Sequence, residues 1–230
     1  MGKLLDRIMS KGRLLQVALD FTELEDALRI IRNLMDLDVD VYEAGTPLIK
    51  NYGLRNLSIL RGIVGKQSVL LADTKTADVG ALEAELVYRS GLDVMTVLGS
   101  SDDEVIKSAI EKARELNIDV VVDTIGMSIK DLERRLEELK TLGVNIINVH
   151  TGIDVQRLKG LRVVDRLNML KDMISSFKND FKFSISGGIK PDDIPKILEL
   201  DIHIVIIGSA ITKSSNPKES AERALKYLRG

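Results

Sequence analysis

The stretch Ser68-Val69-Leu70-Leu71-Ala72-Asp73-Thr74-Lys75-Thr76-Ala77-Asp78 changes character midway. An apolar run gives way to three charges. Side chains alternate between the faces of a strand, so Val69, Leu71, Asp73 and Lys75 share one face, and Leu70, Ala72 and Thr74 the other. Asp78 stands where a helix can begin. Two readings are open on these residues alone. One is a solvated strand end with a surface ion pair and a helix cap. The other is a set of charges gathered for chemistry.

The same change, from a short apolar run to a longer amphipathic one, recurs along the chain. Strands are expected at 15–20, 39–43, 68–75, 93–98, 118–123, 145–150, 181–186 and 203–207. Helices are expected at 22–35, around 54–64, and at 78–90, 102–116, 129–142, 163–176, 191–200 and 217–228, with a polar loop at 151–160. Eight strand–helix units in series imply parallel strands joined by right-handed crossovers. That number closes a (β/α)₈ TIM barrel of the α/β class. An open doubly wound sheet is the alternative, but the rhythm is unbroken and no G-x-G-x-x-G follows the first strand. One domain over 1–230 is expected, with 1–13 a short N-terminal extension carrying a helix at 3–11.

Composition narrows the function classes. Aromatics are 3% and Trp is absent, so aliphatic side chains must fill the core. The net charge is −2 and the basic residues are dispersed, which gives nucleic-acid binding no support. Zero Cys excludes disulfides and thiolate metal sites and fits a cytoplasmic protein. Residues 1–13 lack an apolar signal core, and no membrane span is evident.

Active sites of such barrels sit at the C-terminal ends of the strands. The ends read Asp20, Glu43, Asp73 with Lys75, Thr96, Asp123, His150, Ser186 and Ser209. Gln16, Ala18 and Asp20 share one face, as do Asn148 and His150. A lone strand-end Asp is usually a turn residue or cap, but a ring of titratable groups at one end argues for a site. Four carboxylates against one lysine leave charge uncompensated. A divalent cation resolves this, and with oxygen ligands and no Cys it should be Mg²⁺ (Mn²⁺ is possible), on Glu43 and Asp73. Gly187-Gly188 and Gly208-Ser209 follow the seventh and eighth strands, where barrels of this kind cradle phosphate.

Asp73-x-Lys75-x-x-Asp78 resembles the signature of the orotidine 5′-monophosphate decarboxylase superfamily. Glu43-Ala44-Gly45-Thr46-Pro47 and His150-Thr151-Gly152-Ile153-Asp154 are most similar to its 3-hexulose-6-phosphate synthase branch. The resemblance implies an aldehyde-lyase that joins D-ribulose 5-phosphate to formaldehyde, giving D-arabino-hex-3-ulose 6-phosphate, or runs the reverse. It also implies Mg²⁺ and a homodimer in which Asp78 reaches the partner's site. Lys75 would stabilise an enediolate and His150 would carry the proton. Asp20 and Asp78 would position hydroxyls, and Asp20, Thr96, Gly187, Gly188, Gly208 and Ser209 would hold the substrate. The alternatives are 3-keto-L-gulonate-6-phosphate decarboxylase, which would carry Arg at the position of Ile153, and a non-catalytic sugar-phosphate-binding barrel.

Overall fold

The computed structural model describes residues 2–230. Eight parallel strands close a barrel in sequence order: β1 (Leu14–Leu19), β2 (Val41–Ala44), β3 (Val69–Thr76), β4 (Val94–Leu98), β5 (Asp119–Asp123), β6 (Ile146–His150), β7 (Lys182–Ser186) and β8 (Ile204–Ile207). β8 returns to β1 with Leu14 opposite Ile204 and Leu15 opposite Val205. The strands are short, largely apolar and buried on both faces, as parallel strands under a coat of helices must be.

The helices are α1 (Lys3–Lys11), α2 (Leu24–Leu34), α3 (Thr46–Asn56), α4 (Ser58–Val64), α5 (Gly80–Arg89), α6 (Asp103–Leu116), α7 (Ile129–Thr141), α8 (Ile153–Lys159), α9 (Leu167–Phe177), α10 (Ile194–Ile197), α11 (Ser209–Thr212) and α12 (Pro217–Arg229). Short 3₁₀ turns at Val163–Arg166 and Pro191–Asp193 precede α9 and α10. No described helix is long and apolar enough to cross a membrane.

The alternation of each strand divides the core. Leu15, Val17 and Leu19 point outward and pack with Ile30, Ile31 and Leu34 of α2 in the layer between sheet and helices. Leu14, Ala18, Val41, Val69, Leu71, Val121 and Ile146 point inward and fill the lumen. Leu4 and Ile8 of α1 join that inner cluster. The N-terminal extension is therefore the floor of the barrel. Asp119 pins it by accepting hydrogen bonds from the Leu4 and Leu5 amides at 2.7 and 3.3 Å, two donors that a helix start leaves free.

Five segments differ from the sequence expectation. The helix expected around 54–64 is two helices, and the first begins at Thr46-Pro47 and is kinked at Gly53, which has φ +70°. Pro in the first turn was the overlooked start signal. The expected loop 151–160 contains α8, a helix that buries none of its residues and so carries no apolar stripe to read. The stretches 163–176 and 191–200 each open as 3₁₀ turns, and α11 spans a single turn, too short for a periodic signal.

Candidate active site

One cavity of about 430 Å³ opens at the C-terminal ends of the strands. Asp20, Glu43, Asp73, Lys75, His150, Gly187, Gly188, Gly208 and Ser209 all line it.

Asp73 is the hub. Its Oδ1 accepts from Thr96 Oγ1 at 3.0 Å, and its Oδ2 accepts from Thr46 Oγ1 at 2.8 Å and from Lys75 Nζ. Lys75 reaches inward by a different route from simple alternation. The β3–β4 register slips between Ala72 and Thr76, and Lys75 takes φ +47°. This left-handed conformation is uncommon for a side-chain-bearing residue and marks local strain. The Lys75 amide, donating to Thr96 Oγ1 at 2.9 Å, holds it. Thr96 is thus a buried pin beneath Asp73 and Lys75, 3% exposed, and is not part of the cavity wall where it was expected to meet substrate.

Lys75 Nζ also lies 3.5 Å from Asp123 Oδ2. Asp123 in turn receives His150 Nδ1 at 2.9 Å on Oδ2 and 3.1 Å on Oδ1. With Nδ1 donating to this carboxylate, Nε2 is the nitrogen left for chemistry. Burial works against ionised Asp123, but the His150 hydrogen bond and the charges of His150 and Lys75 outweigh it and hold the carboxyl below its usual range. Burial also opposes charge on Lys75, and Asp73 and Asp123 overcome it, so the amine stays an ammonium. Sequence reasoning placed Asp123 at a strand end and assigned it no role. Its position matched that of Asp73, and this was the available signal.

Glu43 and Asp20 behave oppositely. Burial, then the charges of Asp73 and Asp20, push the Glu43 carboxyl well above its ordinary value. Burial and Asp73 raise Asp20. Glu43 Oε2 accepts from Gln16 Nε2 at 2.7 Å. No three carboxylate or imidazole groups among the described residues form a ready metal cage. Two hard carboxylates that repel each other across a cavity do fit a divalent cation whose remaining ligands come from substrate or water.

The anion side is built on backbone. Gly187 has φ +121°, and a Cβ there would stand 2.6 Å from the Thr151 carbonyl oxygen, so only glycine lets the turn close on β6. Asp78 is apart from all this. It is exposed, lies outside the cavity, and accepts a hydrogen bond from the Val79 amide at 2.7 Å. A single subunit does not bring it to the other site residues. His203 immediately precedes β8, at the floor end, away from the cavity.

A closed parallel barrel with carboxylates, a lysine and a histidine facing glycine turns at its C-terminal mouth defines the enzyme class of (β/α)₈ barrels. The chain belongs to the orotidine 5′-phosphate decarboxylase / HUMPS family, whose model matches residues 13–224. A 3-hexulose-6-phosphate synthase of Bacillus subtilis is 35% identical over 93% of this chain and 98% of its own. The crystal structure of 3-hexulose-6-phosphate synthase from Salmonella typhimurium superposes with a TM-score of 0.85 at 32% identity, covering 94% of this chain and 98% of that one. A 3-keto-L-gulonate-6-phosphate decarboxylase from Vibrio cholerae gives 0.77 at 25% identity, covering 94% and 97%.

Proposed function

We propose that this chain catalyses the reversible aldol addition of D-ribulose 5-phosphate to formaldehyde, giving D-arabino-hex-3-ulose 6-phosphate. The carrying observation is the continuous chain Asp73–Lys75–Asp123–His150, in which buried Asp123 links Lys75 and His150, and whose other three members line one cavity with Glu43 and the glycine turns. The whole-length likeness to proteins named 3-hexulose-6-phosphate synthase supports the synthase over the decarboxylase reading.

The steps follow from the side chains. Glu43 and Asp73 would hold Mg²⁺, which supplies Lewis acidity toward the sugar's ketone and neighbouring hydroxyl. His150 Nε2 takes the C1 proton, while Asp123 keeps the ring oriented and stabilises the imidazolium that forms. Lys75, fixed between two carboxylates, faces the enediolate oxygen with a charge that needs no reorganisation. The enediolate carbon then adds to formaldehyde. The new alkoxide takes that proton back from the His150 imidazolium, and Asp20 positions the sugar hydroxyls. Gly187, Gly188, Gly208 and Ser209 anchor the phosphate, so binding energy far from the reacting bond orients it.

Asp78 belongs to this scheme through a second subunit. It precedes an apolar face made by Val79, just before α5, and by Leu82 and Leu86 of α5, which are 52, 53 and 43% exposed. A second copy covering this face would take Asp78 to its own cavity. Mixing Asp78→Asn with Asp73→Asn subunits tests this, because activity returns in mixed dimers only if sites are shared.

The assay for the reaction is formaldehyde consumption with ribulose 5-phosphate and Mg²⁺. No consumption, with release of CO₂ from 3-keto-L-gulonate 6-phosphate instead, would replace the synthase with the decarboxylase.

A further inference from the structure

Two cations in the cavity wall have no counter-ion. Arg157 lies on α8, which follows β6, and Lys213 caps the end of α11, which follows β8. Two further cations here are paired. Lys75 pairs with Asp73 and Asp123, and Arg162 pairs with Asp193 at 3.0 Å. Arg157 and Lys213 form no ion pair with any described carboxylate, although both side chains face a cavity whose inner wall carries Asp20, Glu43 and Asp73.

Their placement follows from the barrel order. β7 lies between β6 and β8, so the turn at Gly187 and Gly188 sits between the elements bearing Arg157 and Lys213. The base of α8 is packed on that turn. Gln156, next to Arg157, lies so close to Gly188 that a Cβ there would be 2.6 Å from its Oε1. The Gln156 side chain is tied down by donating from Nε2 to the Thr151 carbonyl at 2.7 Å. Arg157 and Lys213 thus flank the β7 turn, with Lys213 also within electrostatic reach of Asp20. Backbone amides are neutral donors. A phosphate dianion leaving water gains more from charged ones, and a guanidinium can grip two of its oxygens.

We infer that Arg157 and Lys213 are the charged half of the phosphate site, closing on the substrate from opposite sides of the glycine turn and selecting phosphorylated over neutral sugars. The inference rests on the sugar-phosphate reading of this cavity and adds the residues that set its orientation. With the phosphate drawn to Arg157 and Lys213, the sugar's reacting end is left facing Lys75.

Steady-state kinetics with varied ribulose 5-phosphate and fixed formaldehyde and Mg²⁺ test it. Arg157→Ala and Lys213→Ala should each raise KM for the sugar phosphate about 10-fold, and the pair about 100-fold. Lys213→Arg should retain most of the wild-type KM. An unchanged KM in the double variant overturns the inference.

A second measurement does not need turnover. Inorganic phosphate, at ionic strength matched with chloride, should raise the unfolding temperature of the wild type and not of the double variant. If the wild type consumes no formaldehyde but shows this rim-dependent protection, the aldolase reading fails and the phosphate assignment stands. Equal protection of both proteins, or none of the wild type, overturns the assignment.

Discussion

Carboxylates stand at both ends of the barrel, and the two sets are satisfied differently. At the floor, Asp40 is fully buried. It accepts from the Leu15 amide at 2.9 Å and from Arg229 at 2.8 Å, with Lys11 3.0 Å from its other oxygen. Asp93 accepts from the Leu70 amide at 2.8 Å and pairs with Lys3 and Arg61. Asp119 takes two amides of α1. Each floor acid ties a strand or helix start to its neighbours and, in Asp40 and Asp93, carries its own counter-charge. At the mouth, Asp20, Glu43, Asp73 and Asp123 share Lys75 and one imidazole. The same residue types thus serve two ends: at the floor Asp40 and Asp93 are ion-paired and build the fold, and at the mouth the acids are under-compensated, an excess that the proposed divalent cation would offset.

The comparison breaks most sharply at Lys75. Lys75→Ala should lower kcat/KM by on the order of 10³-fold or more, by removing a fixed charge beside the developing oxyanion. Its far-UV circular dichroism should stay that of the wild type. Loss of turnover with a lost fold would make Lys75 structural, like the floor cations. Removing divalent cations with EDTA should likewise abolish turnover, and Mg²⁺ should restore it.

Asp40→Ala should do the reverse. It leaves the buried Leu15 amide without its acceptor and takes one of two carboxylate partners from Lys11 and Arg229, and should cost about 2 kcal/mol in urea unfolding while kcat stays near wild type. Glu43→Gln sharpens the contrast from the other side. It keeps an acceptor for Gln16 but removes a charge raised against Asp73 and Asp20. In EDTA it should stabilise the protein by about 1 kcal/mol, while turnover falls by about 10²-fold. If it destabilises instead, the mouth carboxylates are compensated as the floor ones are.

The mouth was more legible in sequence than the floor. Strand ends followed by glycine or by helix starts draw the eye, and period-two alternation correctly put Gln16, Ala18 and Asp20 on the lumen side. Asp40, Asp93 and Asp119 sit before or at strand starts, where an acid reads as loop polarity. Their partners Arg61, Arg229 and the α1 amides are 32 or more residues away, a distance that local pattern cannot span. Lys75 was placed correctly for an incomplete reason, because its inward aim depends on the β3 bulge and a left-handed backbone that no periodicity encodes. Thr96 was read as a substrate contact because it was taken for a strand end, yet β4 runs on to Leu98 and Thr96 sits buried in its middle as a support. The dual nature of α8, exposed along its length yet carrying Arg157 into the cavity, has no hydrophobic signature at all.

The smallest expected effect concerns Asp119. Burial raises its pKa, while the hydrogen bonds from Leu4 and Leu5 oppose the rise without cancelling it. A carboxyl whose folded pKa exceeds its unfolded value of 3.8 binds its proton more tightly in the native state. Its stability contribution is complete below pH 3.8 and is lost as pH rises through the folded value. The Asp119→Asn variant keeps an acceptor for the α1 amides but has no proton to lose. Its stability relative to wild type should therefore improve as pH rises from below 3.8 toward neutrality, by about 1 kcal/mol at most, with kcat unchanged. Urea unfolding of both proteins across that range measures the difference. A difference that moves the other way would mean that the positive end of α1 holds Asp119 ionised, so that the floor acid is compensated by the helix more fully than its burial opposes it.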